Sequence, residues 1–384
     1  MNAPESLIDI KVVGLGAAGL RVMDKLAALG FPASRFLALE TDGQELQRCQ
    51  MADRMQLGQT TRRGWGCSGD AGEGAKSVRA ARDRVSGKLG GSDLVIVLAG
   101  LGGGMGGGGA PVAAEIAAEK GALVMAVMIE PFDLEGKSDA AGMALQRISQ
   151  VADTVIRFPN QEVMDQQSKG TSAQECLDAA NNLILESLMG FGRLVRTDGL
   201  LNLDFGHVRR LLAGGHGEST VATVEVAGES RPRGVMDALM KHPFLRAGEL
   251  LRSVPGVVVS LAGNEELAMD EVDEFVSILK AAAPEAQLAV GVHVDPALGD
   301  CLSAMMLLPS AAANPVAEES TAESKAPEST QQSVLVPSGD GAFSQQQLPL
   351  VAVSKGRFDK GTPTLHAGED LDVPTFLRRN IVLN

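Results

Sequence analysis

From residue 8 to about 308 the chain alternates short apolar runs with longer stretches whose apolar residues recur at helical spacing. "IDIKVVG", "DLVIVLAG", "ALVMAVMIE" and "TVIRF" have the length and β-branched content of buried strands. Between them, "AAGLRVMDKLAALG", "APVAAEIAAEKG" and "SDAAGMALQRISQVA" set apolar side chains on one helical face. Strands alternating with helices predict a doubly wound, parallel α/β sheet. A long helical stretch follows, "TSAQECLDAANNLILESLMGFGRLV", and after "GLLNLDF" the alternation resumes in "TVATVEV", "RGVMDALMKH", "GVVVSLAG", "AMDEVDEFVSILKAAA", "QLAVGVHVD" and "CLSAMMLLP". The expected order is an α/β unit (1–170), a central helix (171–197) and a second, smaller α/β unit (198–309).

The pattern stops at Ser310. The next stretch is rich in Ser, Ala, Gln, Glu and Pro without sustained periodicity. It cannot bury enough apolar surface to offset chain entropy, which predicts a disordered linker over 310–369. The last residues, 370–384, bring back Leu371, Val373, Phe376, Leu377 and Ile381. Apolar residues on a flexible tether read either as a peptide that folds on a partner or as a merely sticky tail.

Composition narrows the function. Lys+Arg 34 against Asp+Glu 48 gives a net charge of −14 over 384 residues. That sign excludes sequence-independent binding to nucleic acid, which needs basic surface facing phosphate. Aromatics make up 3%, with no Tyr and one Trp, Trp65, so platforms for stacking bases are scarce. The four cysteines (Cys49, Cys67, Cys176, Cys301) lack CxxC spacing, so neither a zinc site nor a disulfide framework is indicated. The start "MNAPESLIDIKV" has no basic region before an apolar core, and no apolar run reaches about 18 residues. A cytoplasmic protein with no direct membrane insertion is the expectation.

Two glycine-rich turns carry the candidate chemistry. "VVGLGAAG" ends a strand and opens a helix, with Gly14, Gly16 and Gly19 in G-x-G-x-x-G spacing. Such a turn aims amide N–H groups at a phosphate. Alone it fits a plain strand–helix turn or a dinucleotide fold, and Glu40 and Asp42 stand where a ribose-binding acid would. "AGLGGGMGGGGAP" puts seven glycines into positions 102–109, again between a strand and a helix. Two such turns at the carboxyl ends of one sheet suit a ligand with several phosphates.

These residues carry a resemblance. "AGLGGGMGGGGAPV" resembles the tubulin signature A-G-M-G-G-G-T-G-T-G-A-A-P-V, with Met105 and Gly107 in place of the threonines. "IKVVGLGAAG", "ETDGQEL", "GWGCSGDAGEG", "EPFDLEG", "FPNQEV", "DAANNLIL", "GLLNLDFGHV" and "LDVPTFLRR" resemble, in order, motifs of the tubulin/FtsZ family. The resemblance implies the tubulin/FtsZ-like fold: a Rossmann-like GTP-binding domain, a long central helix and a smaller α/β domain. It also implies GTP with Mg2+, head-to-tail self-assembly and a role at the bacterial division site.

Carried over by position, the resemblance assigns phosphate contacts to Gly16, Ala17, Ala18, Gly19, Leu20 and Arg21, and to Gly102, Gly103, Gly104, Met105, Gly106, Gly107 and Gly108. Glu135 stands at the ribose-contacting glutamate, and Asn160 and Asn182 at nucleotide-contacting positions, Asn182 toward guanine. Asp139 replaces an arginine near the phosphates, with Lys137 and Arg147 as the nearest substitutes, and Asp178 is placed at an aromatic position. Catalysis falls on the 202–207 loop, which in this family acts on the next protomer's nucleotide: Asp204 keeps the acidic position, Asn202 orients, and His207 replaces the second carboxylate. No dedicated metal ligand is assigned. GTP hydrolysis is implied, and is expected to be slow, with a non-hydrolysing filament as the alternative. Leu371, Val373, Phe376 and Leu377 match the peptide that docks on membrane-tethering division proteins.

Overall fold

The computed structural model describes residues 8–58, 64–168, 170–195, 199–213, 217–309, 365–366 and 369–370. The chain divides into two units, Met1–Glu318 and Glu319–Asn384. In the second, Leu365–His366 pairs antiparallel with Glu369–Asp370, within and just after the stretch whose composition predicts no structure. A ladder of two residue pairs rests on backbone hydrogen bonds and leaves no apolar pattern in the sequence. The proposed recognition residues Leu371, Val373, Phe376 and Leu377 lie outside the described residues.

In the first unit the predicted runs become strands: β1 (Ile10–Leu15), β2 (Arg35–Glu40), β3 (Asp53–Gln56), β4 (Leu94–Gly100), β5 (Leu123–Glu130) and β6 (Thr154–Pro159), then β7 (Gly217–Ala227), β8 (Gly256–Gly263), β9 (Gln287–Val294) and β10 (Cys301–Pro309). The sequence predicts two α/β units linked by a helix. The strands of both units join in one ten-stranded sheet in the order β3-β2-β1-β4-β5-β6-β7-β10-β8-β9. β6 pairs in parallel with β7 through Thr154↔Gly217, Val155↔Glu218 and Ile156↔Ser219, and only the β7–β10 and β10–β8 pairs are antiparallel.

Period-two alternation splits the interior of the first half. Leu94, Ile96 and Leu98 of β4, with Leu123, Met125 and Val127 of β5, face the helix Gly16–Ala28 and the central helix Ala173–Leu194. Val95, Val97 and Ala99, with Val124, Ala126 and Met128, face helices Ala71–Ala80, Ala110–Glu119 and Ser138–Ser149 on the other side. A third cluster fills the second half beneath helices Arg231–Lys241 and Met269–Ala282. His242 and Phe244 lie where the halves meet, Phe244 edge-on to Phe158 of β6 at 6.2 Å.

The central helix starts at a capping box: the Glu175 N–H donates to Ser172 Oγ (3.2 Å), and the Ser172 N–H donates to Glu175 Oε2 (2.8 Å). Its buried stripe, Cys176, Ala180, Ile184, Leu188 and Phe191, has the spacing of one helical face. Among the described residues no helix is long and apolar enough to cross a membrane.

Candidate functional site

A cavity of about 1110 Å³ opens at the carboxyl ends of β1, β2, β4 and β5 and reaches the first turn of the central helix. Two helical segments begin at its wall. The helix Gly16–Ala28 has no side-chain cap and no acid in its first turn. The glycine run is itself helical from Gly104, with Met105–Gly109 wound as a π-turn that leads into Ala110–Glu119, and it too has neither cap nor acid. Neighbouring helices differ: Asp42 accepts from the Gln44 N–H (2.8 Å), Asp70 from the Gly72 N–H (2.8 Å), and Ser172 closes the box described above. Uncapped helix starts leave N–H groups and positive dipole ends facing the cavity.

The glycines serve two purposes. A Cβ on Gly104, Gly106 or Gly108 would run into Cys67, the Gly100 carbonyl or the Ala71 carbonyl respectively. Protein packing, not ligand approach, requires glycine at these three positions. Gly16 is the open case. Its φ is +73°, and the space a Cβ would fill is bounded by Gly106 N at 3.5 Å and Glu40 Oε2 at 4.0 Å, so both turns meet there. Met105, 4% exposed, sends its side chain into the core.

Of the predicted site residues, the structure gathers Gly16, Ala17, Ala18, Arg21, Gly103, Gly104, Met105, Gly106, Glu135 and Asn160 around the cavity. Leu20 is core, and Gly19, Gly102, Gly107 and Gly108 lie behind the wall. Asp139, on the exposed first turn of its helix, is outside the lining. Lys137 lines it instead, its stem packed over Gly102 and its Nζ donating to Glu135 Oε2 at 2.9 Å. Asn182 is exposed on the central helix beyond the lining. Asp178, the residue the resemblance sets at an aromatic position, turns to Gln174 (2.9 Å) and Lys25 (3.5 Å), and its neighbour Leu177 lines the cavity. A helix turns by about 100° per residue, so this offset moves a side chain off the face.

Trp65, Gly66, Cys67, Ser68 and Gly69 also line the cavity, from a loop to which the resemblance assigns no contact. Its dense glycines were the available signal, and Ser68, at φ +50°, shows how tightly it turns.

Acids dominate the charged lining: Glu40, Asp42, Glu45, Glu130, Glu135 and Asp165, against Arg21 and Lys137. Burial pushes the Glu40 carboxyl up from its usual range, opposed by the N–H groups of Asp42 and Thr41. Glu130 pairs with Arg157, which also holds Glu218 at 3.1 Å. Asp42 caps its helix, and Glu40 Oε1 accepts from the backbone N–H groups of Thr41 (2.6 Å) and Asp42 (3.1 Å).

The predicted catalytic residues lie elsewhere. The Gly206 N–H donates to Asp204 Oδ1 at 2.9 Å, which caps the helix Phe205–Leu212, and the Gly199 N–H donates to Asn202 Oδ1 at 2.9 Å. His207 is exposed on that helix, and none of the three lines the cavity. The cavity touches the start of the central helix at Ala173, while this loop follows its end; the helix has 22 residues, about 33 Å.

Residues 9–168 match the Tubulin/FtsZ family GTPase domain, and residues 217–311 match the FtsZ family C-terminal domain. The chain is 30% identical over 295 residues to the cell division protein FtsZ of Coxiella burnetii, covering 76% of each chain. It belongs to the tubulin/FtsZ family. An empty FtsZ dimer of M. jannaschii superposes with a TM-score of 0.74 at 27% identity, over 80% of this chain and 89% of that one. GDP-bound CetZ1 of Haloferax volcanii shares the fold at 22% identity and a TM-score of 0.65, over 78% of this chain and 94% of that one. The two family domains flank the central helix, so the cavity belongs to the GTPase domain apart from its wall at Gly170, Thr171, Ala173, Cys176 and Leu177.

Proposed function

We propose that the chain binds GTP in this cavity and polymerises head to tail in bacterial cell division. GTP is hydrolysed where one copy's cavity meets the 199–207 loop of the next. The observation that carries this is the pair of uncapped helix starts, at Gly16 and Gly104, opening on one cavity. A polyphosphate supplies the acceptors that both starts lack. Gly16, Ala17, Ala18, Gly103, Gly104 and Gly106 hold the phosphates, with Arg21 and Lys137 as the cations. Glu135 takes the ribose. Asn160 and Asn182 serve the base, since an amide both donates and accepts at a guanine edge, and Leu177 lies against its face.

Mg2+ fits the lining, because it binds through one or two carboxylates together with substrate phosphates, whose charge it neutralises. Among the described residues no cluster of three or more metal-ligating side chains exists.

Separation by a central helix of about 33 Å supports a site shared between copies. A heterologous contact that does not close gives a filament. Asp204 and Asn202 orient the attacking water, and His207 takes its proton. Hydrolysis is slow because His207 brings no negative charge. The same residue favours a second reading, in which GTP serves assembly alone. Leu371, Val373, Phe376 and Leu377 dock on membrane-tethering division proteins and bring the filament to the division site.

Sedimentation and phosphate release with GTP, against ATP and NAD controls, test the reading. GTP is expected to drive pelleting, with turnover rising with protein concentration. Tight binding of NAD or ATP and none of GTP overturns it.

A further inference from the structure

Among the described residues the lining carboxylates Glu40, Asp42 and Asp165 have no ion-pair partner, and Glu40 is the one set beside Gly16. Glu45 has Arg21 (3.9 Å) and Arg48 (2.6 Å), Glu135 has Lys137 (2.9 Å), and Glu130 has Arg157. Glu40 is 5% exposed and has no ion-pair partner among the described residues. Its Oε1 accepts from the Thr41 N–H and hydroxyl and from the Asp42 N–H. Its Oε2 takes part in none of these bonds and faces the open space over Gly16, beside Gly106 N. A carboxylate oxygen thus stands where the two glycine turns converge, the place the proposed function gives to phosphate. Two anions in a site of low dielectric repel unless something positive separates them.

We infer that Glu40 Oε2 is a ligand for a divalent cation shared with the phosphates, and that nucleotide binding by this chain therefore requires the cation. Mg2+ suits the arrangement: one carboxylate oxygen from the protein, with phosphate oxygens and water filling the remaining positions. The inference rests on the GTP reading of the cavity and adds to it the condition under which the nucleotide enters.

The test is equilibrium binding of a fluorescent GTP analogue to the full chain, with excess Mg2+ and with EDTA, for wild type and Glu40→Gln. Wild type is expected to lose at least about tenfold in affinity without the cation. Glu40→Gln keeps an oxygen for the Thr41 and Asp42 N–H groups and is expected to bind the analogue equally well in both conditions. Electron paramagnetic resonance with Mn2+ in place of Mg2+ gives a second readout: Glu40→Gln should retain less bound Mn2+ per nucleotide. Circular dichroism checks that the variant is folded, and the wild-type comparison stands without it. Equal wild-type affinity with and without the cation, or an unchanged cation dependence in Glu40→Gln, overturns the inference. Absence of binding under every condition overturns the GTP reading itself.

Discussion

At the cavity, the segments starting at Gly16 and Gly104 leave their first N–H groups to whatever enters, while at the opposite end of the central helix Asp204 already supplies the cap its helix needs. One region has backbone donors and no acceptors of its own; the other has its acceptor engaged within the chain. A site that waits for a ligand is built from unmet backbone demand. In the proposed function this loop serves a neighbouring copy, and Asp204 then carries a structural duty as a helix cap between encounters.

Substitutions can break each side of this contrast separately. The largest effect is expected at Gly108→Ala, where a Cβ would collide with the Ala71 carbonyl and neither backbone can yield. A loss of about 3 kcal/mol or more is expected by urea denaturation. Gly107→Ala, one residue away with only Ala144 Cβ at 3.4 Å, should cost less than about 1 kcal/mol.

Asp204→Ala is expected to lower phosphate release about 10²- to 10⁴-fold and leave nucleotide affinity unchanged. The lost cap should also cost about 1 kcal/mol in thermal or urea unfolding. An unchanged rate would place the chemistry elsewhere.

Acid acts on the junction that keeps both regions in one sheet. Burial holds His242 near a pKa of about 4, below the ordinary 6.5, and its Nδ1 accepts from the Phe244 N–H at 3.3 Å. The unfolded chain therefore takes up the proton first. The contribution of this group is complete above pH 6.5 and is lost as pH falls toward 4, up to about 3 kcal/mol. Urea midpoints at pH 7 and pH 4.5 should show this fall, and His242→Phe should flatten it.

Gly16→Ala is expected to cost about 1–2 kcal/mol from the left-handed backbone and to weaken GTP binding, measured by titration, because its methyl fills the space between the turns. The smallest effect is expected at His207→Asp, a rise of about threefold in turnover. Added charge at a helix start accompanies it, worth a few tenths of a kcal/mol in stability.

The strands were legible because β4 and β5 are near-continuous apolar runs and β1 and β6 are broken only by Lys11, Thr154 and Arg157, and the central helix because its capping box and stripe are local. The joining of β6 to β7 was not, since three residue pairs between 154–156 and 217–219 leave no mark in either segment. The packing that requires glycine at Gly104 and Gly108 is not legible, because their neighbours Cys67 and Ala71 are distant in sequence. A motif fixes the order of residues but not their rotation about the helix, so that Leu177 and not Asp178 lines the cavity is not legible in the sequence. Asp139 drew notice as a broken motif position, yet the charge facing the cavity is Lys137, whose stem rests on Gly102.

With no tyrosine and a single tryptophan, nearly all near-ultraviolet emission of this chain comes from one indole. Trp65 is 82% exposed, lines the cavity and is tied by a backbone bridge to Asp42, two residues past Glu40. The molecule thus carries its own optical reporter at the mouth of its functional site. Occupancy of the cavity, or the approach of another copy over it, registers as a change in the colour and intensity of that one ring, with no label and no competing signal from the rest of the fold.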